Sequence, residues 1–274
     1  MIDNFDGTIQ SREGRCTITF KGDDTVPLSV CTQLVKRLAR EAPRCVQLVC
    51  DLASPAHVWA RALQGTTLPS VKAFIFDTPS QTQTRQGENS IGDLAAVLAA
   101  CPHLERLFAT GDLDLSPTRH ESLRELYLLG DPLSPVLFDG LGGCQFPRLE
   151  RLAISLASDA GPVKSQALRQ ALRELRAPPR EVHVKGLDHI DQTLEALALQ
   201  GLPPSWKVLT LDGSWGDDDD PEELRTLLQR HASAFGTLEH LGLPEDLEVD
   251  GVPVRTESAP EQRDLFLPSV YETW

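Results

Sequence analysis

Leu123-Arg124-Glu125-Leu126-Tyr127-Leu128 sets three apolar residues in the order apolar, two variable, apolar, one variable, apolar, and runs on into Asp131-Pro132-Leu133. The same phrase returns at Leu104/Leu107/Ala109, Leu149/Leu152/Ile154, Trp206/Leu209/Leu211 and Leu238/Leu241/Leu243. A strand of this form followed by a helix, repeated along a chain, cannot bury its apolar face alone. Stacked copies share one lengthwise core, and the expected architecture is a solenoid.

Aligned on the apolar residue that opens each copy, the strands start at Cys45, Val71, Leu104, Leu123, Leu149, about Pro179, Trp206 and Leu238. The spacings are 26, 33, 19, 26, 30, 27 and 32 residues. Four starts share a lead-in: Pro43-Arg-Cys45, Pro69-Ser-Val71, Pro102-His-Leu104 and Pro147-Arg-Leu149. Proline there ends the preceding helix and favours an extended chain.

Most intervals hold an amphipathic helix. The candidates are Leu28–Arg40, Ala56–Gln64, Ile91–Ala100, Pro162–Ala177, Ile190–Gln200 and Pro221–Ala234. In the last, Asp220 is the expected N-cap, with Pro221 at the first helical position and Glu223 closing a capping box. The interval from Leu104 to Leu123 is too short for a helix and reads as a loop.

Helix-containing repeats of this length resemble the ribonuclease-inhibitor-like leucine-rich-repeat proteins, and their irregular spacing is similar to that of bacterial members. The resemblance covers about residues 45–243 and rests on pattern. It implies an α/β solenoid, with a parallel sheet on the concave side and helices on the convex side. It also implies a role in binding another protein, as an inhibitor or immunity-like protein, for instance against a basic nuclease toxin.

The expected organisation is one domain. Residues 1–44 form an N-terminal cap of hairpin and helix, 45–243 about eight irregular repeats, and 244–274 a C-terminal cap. Gly14 suits the turn of the first hairpin, with Cys16, Ile18 and Phe20 on one face. Leu247–Val254, with its Asp250-Gly251 pair, reads as a second hairpin. Leu265-Phe-Leu267 and Val270–Trp274 are too apolar for a free tail and are expected to fold back on the last repeat.

The net charge of −14 is unevenly placed. Residues 1–211 carry 24 acidic and 22 basic side chains, whereas 212–274 carry 16 acidic and only four basic ones. Such a chain is ill suited to nucleic acid, which needs clustered Lys and Arg. The longest apolar run, Leu94 to Cys101, is far below the roughly 20 residues of a membrane helix. The start Met1-Ile-Asp-Asn-Phe-Asp6 has no basic end and apolar run, so the expected location is the cytoplasm. Six cysteines without a C-x-x-C pair read as reduced thiols, and no metal or other cofactor is expected.

On the concave sheet the middle variable position gives Phe108, Tyr127, Ala153, His183 and Thr210, expected to face solvent. The preceding positions give two ladders of alternating sign: Glu105, Arg124, Glu150, Arg180 beside Arg106, Glu125, Arg151, Glu181. Opposite charges on neighbouring strands stabilise each other by about 0.2–1 kcal/mol a pair. Because the signs cancel, a structural role is favoured over a binding field. The candidate partner-binding residues are Phe108, Tyr127, Arg106, Glu125, Arg151 and His183 on the sheet, with Trp215, Asp217, Asp218, Asp219, Asp220 and Asp246 at the acidic end.

Other motifs point to no chemistry. Asp217–Asp220 lacks the spaced oxygens and glycine of a calcium loop, and a solvated loop before a helix is favoured. Gly140-Leu-Gly-Gly143 has no Lys-Ser/Thr after it and reads as a helix C-cap. The seven histidines form no H-E-x-x-H pattern, and no G-x-S-x-G elbow occurs. The expectation is a non-catalytic scaffold for a partner protein with a basic patch. The alternative is an adaptor or structural subunit of a bacterial assembly. An enzyme would need His, Asp and Cys gathered from different repeats.

Overall fold

The computed structural model describes residues 7–12, 15–20, 28–41, 47–51, 57–77, 90–129, 133, 135–156, 162–175, 177–187, 189–214, 221–245 and 247–256. The chain begins with strands β1 (Gly7–Arg12) and β2 (Arg15–Phe20), helix α1 (Leu28–Glu41), β3 (Gln47–Asp51), α2 (His57–Leu63) and β4 (Ala73–Asp77). Next come β5 (Ser90–Asp93), α3 (Leu94–Ala100), β6 (Arg106–Thr110), β7 (Asp112–Asp114), β8 (Glu125–Leu129), α4 (Pro135–Gly143), β9 (Arg151–Ser155) and α5 (Pro162–Glu174). The remainder is β10 (Glu181–Leu187), α6 (Ile190–Gln200), β11 (Val208–Gly213), α7 (Pro221–Arg230), α8 (Ala232–Phe235), β12 (His240–Leu243) and β13 (Val254–Thr256).

The protein is α/β. Eleven strands form one sheet in the order β1-β2-β3-β4-β6-β8-β9-β10-β11-β12-β13, so each strand lies beside its predecessor in that sheet. Pairing is parallel from β2 to β13, and only β1–β2 is antiparallel. β5 and β7 form a separate parallel pair. All eight strands expected from the phrase are present, each beginning two residues after its aligned residue.

A repeated turn explains that regularity. The amide of the aligned residue donates to the carbonyl three residues earlier: Val71 to Leu68, Leu104 to Cys101, Leu149 to Phe146, Trp206 to Pro203 and Leu238 to Phe235. Pro69, Pro102, Pro147 and Pro204 take the second position of such turns, which proline's fixed φ suits. At Leu123 a side chain replaces the carbonyl. The Leu123 amide donates to His120 Nδ1 at 3.1 Å, while Nε2 of the same ring lies 3.0 Å from the Cys101 carbonyl. Burial lowers the pKa of His120, which keeps the ring neutral, with Nε2 as donor and Nδ1 as acceptor.

Strand residues alternate between two environments. Leu107, Leu126, Leu128, Leu152, Ile154, Val182, Leu209 and Leu241 join one continuous core with helix residues such as Val97, Phe138, Leu168, Leu194 and Leu228. Ile75, Phe108, Tyr127 and Ala153 form a second, smaller cluster, with Leu129 packed against it. Alternation of the strand side chains puts this cluster on the other face.

Several elements differ from expectation. α3 begins at Leu94 because Ser90–Asp93 is drawn into pairing with β7. Asp93 caps the helix, accepting from Ala95 N and Ser116 N, each at 2.9 Å. Burial raises its pKa, but these bonds outweigh burial and hold the carboxyl below its ordinary range. The helix from Pro221 stops at Arg230, and a short second turn of helix follows. At the other end Val252 N donates to Val249 O, with Gly251 at φ 77°, so the Asp-Gly turn forms. It makes no hairpin, because Leu247, Val249 and Val252 turn into the core and β13 pairs with β12 in parallel. The first hairpin has the expected strands, with Arg12 opposite Arg15, and β2 continues into the parallel sheet. Its turn residues, the Asp220 N-cap and the apolar C-terminal stretch lie outside the described residues.

Gly140, Gly142 and Gly143 lie inside α4, a helix that their low propensity hides from a sequence reading. They are there for close approach. A Cβ on Gly140 would overlap the Leu115 carbonyl, and one on Gly142 would press on Ala171 and Glu174 of α5. Cys31, Cys101 and Cys144 are free and buried, and burial pushes their thiols up to about 12, 12 and 11 respectively. No helix among the described residues is long and apolar enough to cross a membrane.

Two substitutions check these assignments in thermal unfolding. Gly140→Ala is expected to cost about 1–3 kcal/mol or more, because the obstacle is backbone and cannot rotate away. His120→Ala strands the buried Leu123 amide, while the Cys101 carbonyl keeps the Leu104 amide, and a loss of about 1–3 kcal/mol is expected.

Candidate functional site

The sheet face opposite the helices is organised by register. Phe108 lies opposite Tyr127, Tyr127 opposite Ala153, Ala153 opposite His183, and His183 opposite Thr210. A flanking row aligns Arg106, Glu125, Arg151 and Glu181 in the same way. Pairing about 4.8 Å apart makes each residue the lateral neighbour of its counterpart.

The flanking row is an ion-pair chain. Arg106 Nε is 3.3 Å from Glu125, and Arg151 approaches Glu181 Oε2 with Nη2 at 2.6 Å and Nε at 2.7 Å. Tyr127 joins the two pairs: its hydroxyl donates to Glu125 at 3.0 Å and accepts from Arg151 Nη1 at 3.4 Å. Burial raises the pKa of Tyr127. His183, 3.9 Å from Glu181, and the closer Arg151 hold the Glu181 carboxyl down to about 2 against the opposing effect of burial.

A second charged row runs along the strand lead-ins. The carbonyls of Lys72, Glu105, Arg124, Glu150, Arg180 and Lys207 each accept two amides from the next unit. Their exposed side chains pair as Lys72–Glu105 at 2.9 Å, Arg124–Glu150 at 2.6 Å and Arg180–Glu239 at 3.0 Å. Arg180 reaches across one strand because the residue between, Lys207, offers no carboxylate. The alternating ladder is therefore formed largely as read, and it is neutral.

The expected exposure of the aromatic row is overturned. Phe108, Tyr127 and His183 are 4%, 2% and 1% exposed. Side chains in register pack on one another: the Phe108 and Tyr127 rings lie 6.2 Å apart, with Ile75 and Ala153 on either side. The Arg151–Tyr127–Glu125 bonds add to that cover. Arg106, Glu125 and Arg151 are half-buried and engaged with one another or with their row neighbours.

Trp215, Asp217, Asp218, Asp219, Asp220 and Asp246 lie outside the described residues. The described part of that end adds an acidic feature that the sequence reading missed. A groove of about 440 Å³ between α6 and α7 is lined by Asp191, Glu195, Glu222 and Glu223, with Leu227 and Arg230. From α7, Arg225 pairs with Glu222 at 2.5 Å and Arg230 approaches Glu195 at 3.9 Å. Asp191 and Glu195 stand four apart on α6, and α7 opens with Glu222 and Glu223. That spacing was readable, but not the meeting of the two helices.

No family model matches the chain, and no curated protein matches it. A crystal structure of a protein from Bacteroides fragilis is similar in fold. It has a TM-score of 0.56 at 14% identity, and the match covers 87% of this chain and 76% of that one.

The ion-pair row has a testable pH signature. Glu181 titrates near 2 when folded, against an ordinary value of 4.5, so its stabilisation is complete above about pH 4.5. As pH falls through the interval down to about 2, that stabilisation is lost. Glu181→Gln should lower the melting temperature at neutral pH, with the gap from wild type closing below about pH 4.5. A gap independent of pH would assign the effect to packing alone.

Proposed function

We propose that this chain is a non-catalytic scaffold that binds another protein, built as an irregular leucine-rich-repeat solenoid with a cap at each end. The fold reading is supported by eight strands at the expected register, by their order in the sheet and by the turn that recurs before five of them. The recognition surface is the acidic C-terminal end, and the partner is a protein with a basic patch. One observation carries this reading. The groove between α6 and α7 gathers four carboxylates around Arg230, and α7 belongs to the segment 212–274 that holds most of the excess negative charge, while the ladders of the sheet face carry both signs in alternation. An excess of one sign of charge at a surface accelerates encounter with an opposite patch, whereas charges of alternating sign project little field. An inhibitor or immunity-like role fits a scaffold of this kind.

The association should weaken steeply as ionic strength rises. Asp191→Asn, Glu222→Gln and Glu223→Gln together should slow association about tenfold or more, the scale of electrostatic steering. Glu150→Gln, on the neutral ladder, should leave the rate almost unchanged. Partner capture from the native host, followed by rate measurements across a salt series, checks this. Binding indifferent both to salt and to the three substitutions would move the interface elsewhere.

A further inference from the structure

We propose that a groove between β7 and α4 binds a basic segment of a partner protein, with a Lys or Arg stem laid over Val136 and its cationic head between Asp114 and Asp139. The groove exists because one unit lacks a helix. Between β6 and β8 the chain runs as β7 and a loop, so α4 meets that loop where another unit would offer a helix. Gly140 lets α4 settle against the Leu115 backbone, and an open space of about 430 Å³ remains beside it. Leu115, Pro117 and Val136 supply its apolar wall. Asp93, Asp114 and Asp139 line it from β5, β7 and α4, and no lysine or arginine is among its lining residues.

The occupant follows from charge and shape. Asp93 and Asp114 are register partners at the ends of β5 and β7, so two carboxylates stand side by side on neighbouring strands. Like charges so placed repel and weaken the pairing. Asp93 has a structural reason to be there, because it caps α3 and accepts from Ser116 N. Asp114 and Asp139 have none: both are exposed, and no described cation pairs with either. Arg119, the next cation along the chain from Asp114, is engaged by Glu121 and Gln145. Val136, 62% exposed, stands three residues before Asp139 and shares its face of α4. Among the described residues no group of three His, Cys, Asp or Glu is placed to hold a metal ion, so these carboxylates are not gathered for a bare divalent cation. A Lys or Arg side chain meets the requirement, since its stem lies along apolar surface while its head reaches a carboxylate. This site does not depend on the groove between α6 and α7, and it gives a basic partner a second acidic contact.

The test uses the full chain and the peptide acetyl-Leu-Arg-Leu-Arg-amide, followed by methyl NMR with the Val136 signals assigned through Val136→Ile. The peptide should shift those signals saturably, and its counterpart with citrulline for arginine should not. In Asp114→Asn/Asp139→Asn the affinity should fall about fivefold or more, the scale of two exposed charge pairs. In Asp191→Asn/Glu222→Gln/Glu223→Gln it should be unchanged. Unmoved Val136 signals, equal binding of the citrulline peptide, or equal affinity in Asp114→Asn/Asp139→Asn would overturn the proposal. Loss of binding in the triple variant would overturn it in favour of the α6–α7 groove. Independently, Asp114→Asn should raise the melting temperature by relieving the repulsion from Asp93, and a lowered one would assign Asp114 to the fold and count against the site. Should the double variant not fold, the citrulline comparison on the unaltered chain decides.

Discussion

Everything in this molecule hangs on strict register between parallel strands. Each unit donates two amides to one carbonyl of the unit before it, from Lys72 through to Lys207, and that repeated bond sets the offset of every strand. Once the offset is fixed, side chains of equal rank are neighbours about 4.8 Å apart. A one-residue slip would exchange the two faces of a strand and place leucines where the ion pairs now stand. The turn before β4, β6, β9, β11 and β12 enforces the same offset locally. Where the sequence allows no helix and no ordinary turn, the ring of His120 supplies the missing acceptor.

Register also explains why the charges and the aromatics behave differently. Arg and Glu alternating along a row meet as pairs, so the row stabilises the sheet and projects little field. Aromatic side chains in a row meet as a small core. Phe108 and Tyr127 look like binding anchors when read one strand at a time, because each stands at a position that alternation sends away from the helices. Laid side by side they have partners of their own, and the Tyr127 hydroxyl is held by Glu125 and Arg151. The face is thus a second packed surface, and the groove lined by four carboxylates lies between helices near the C-terminal end.

Helix packing between units creates the rest of the surface. Gly140 lets α4 approach the Leu115 backbone more closely than any side chain would permit, and Gly142 gives a tight fit against α5. The acidic groove arises in the same way, where α6 brings Asp191 and Glu195 against the first turn of α7. Both features depend on contacts between helices of different units, and neither leaves a local pattern that a periodicity reading detects.

The sequence by itself determined the number of strands from Cys45 to Leu243, their starting points and the pairing of the charged ladders. These follow from short-range rules: period-two alternation, turn chemistry around proline, and equal rank in equal units. Only the tertiary structure decided the rest. α4 was hidden because its glycines answer a neighbour rather than a propensity. The Asp250-Gly251 turn forms no hairpin because Leu247, Val249 and Val252 gain more by entering the core than by pairing. The aromatic row is buried because exposure depends on what lies beside and above a residue, and a linear sequence does not state its lateral neighbours.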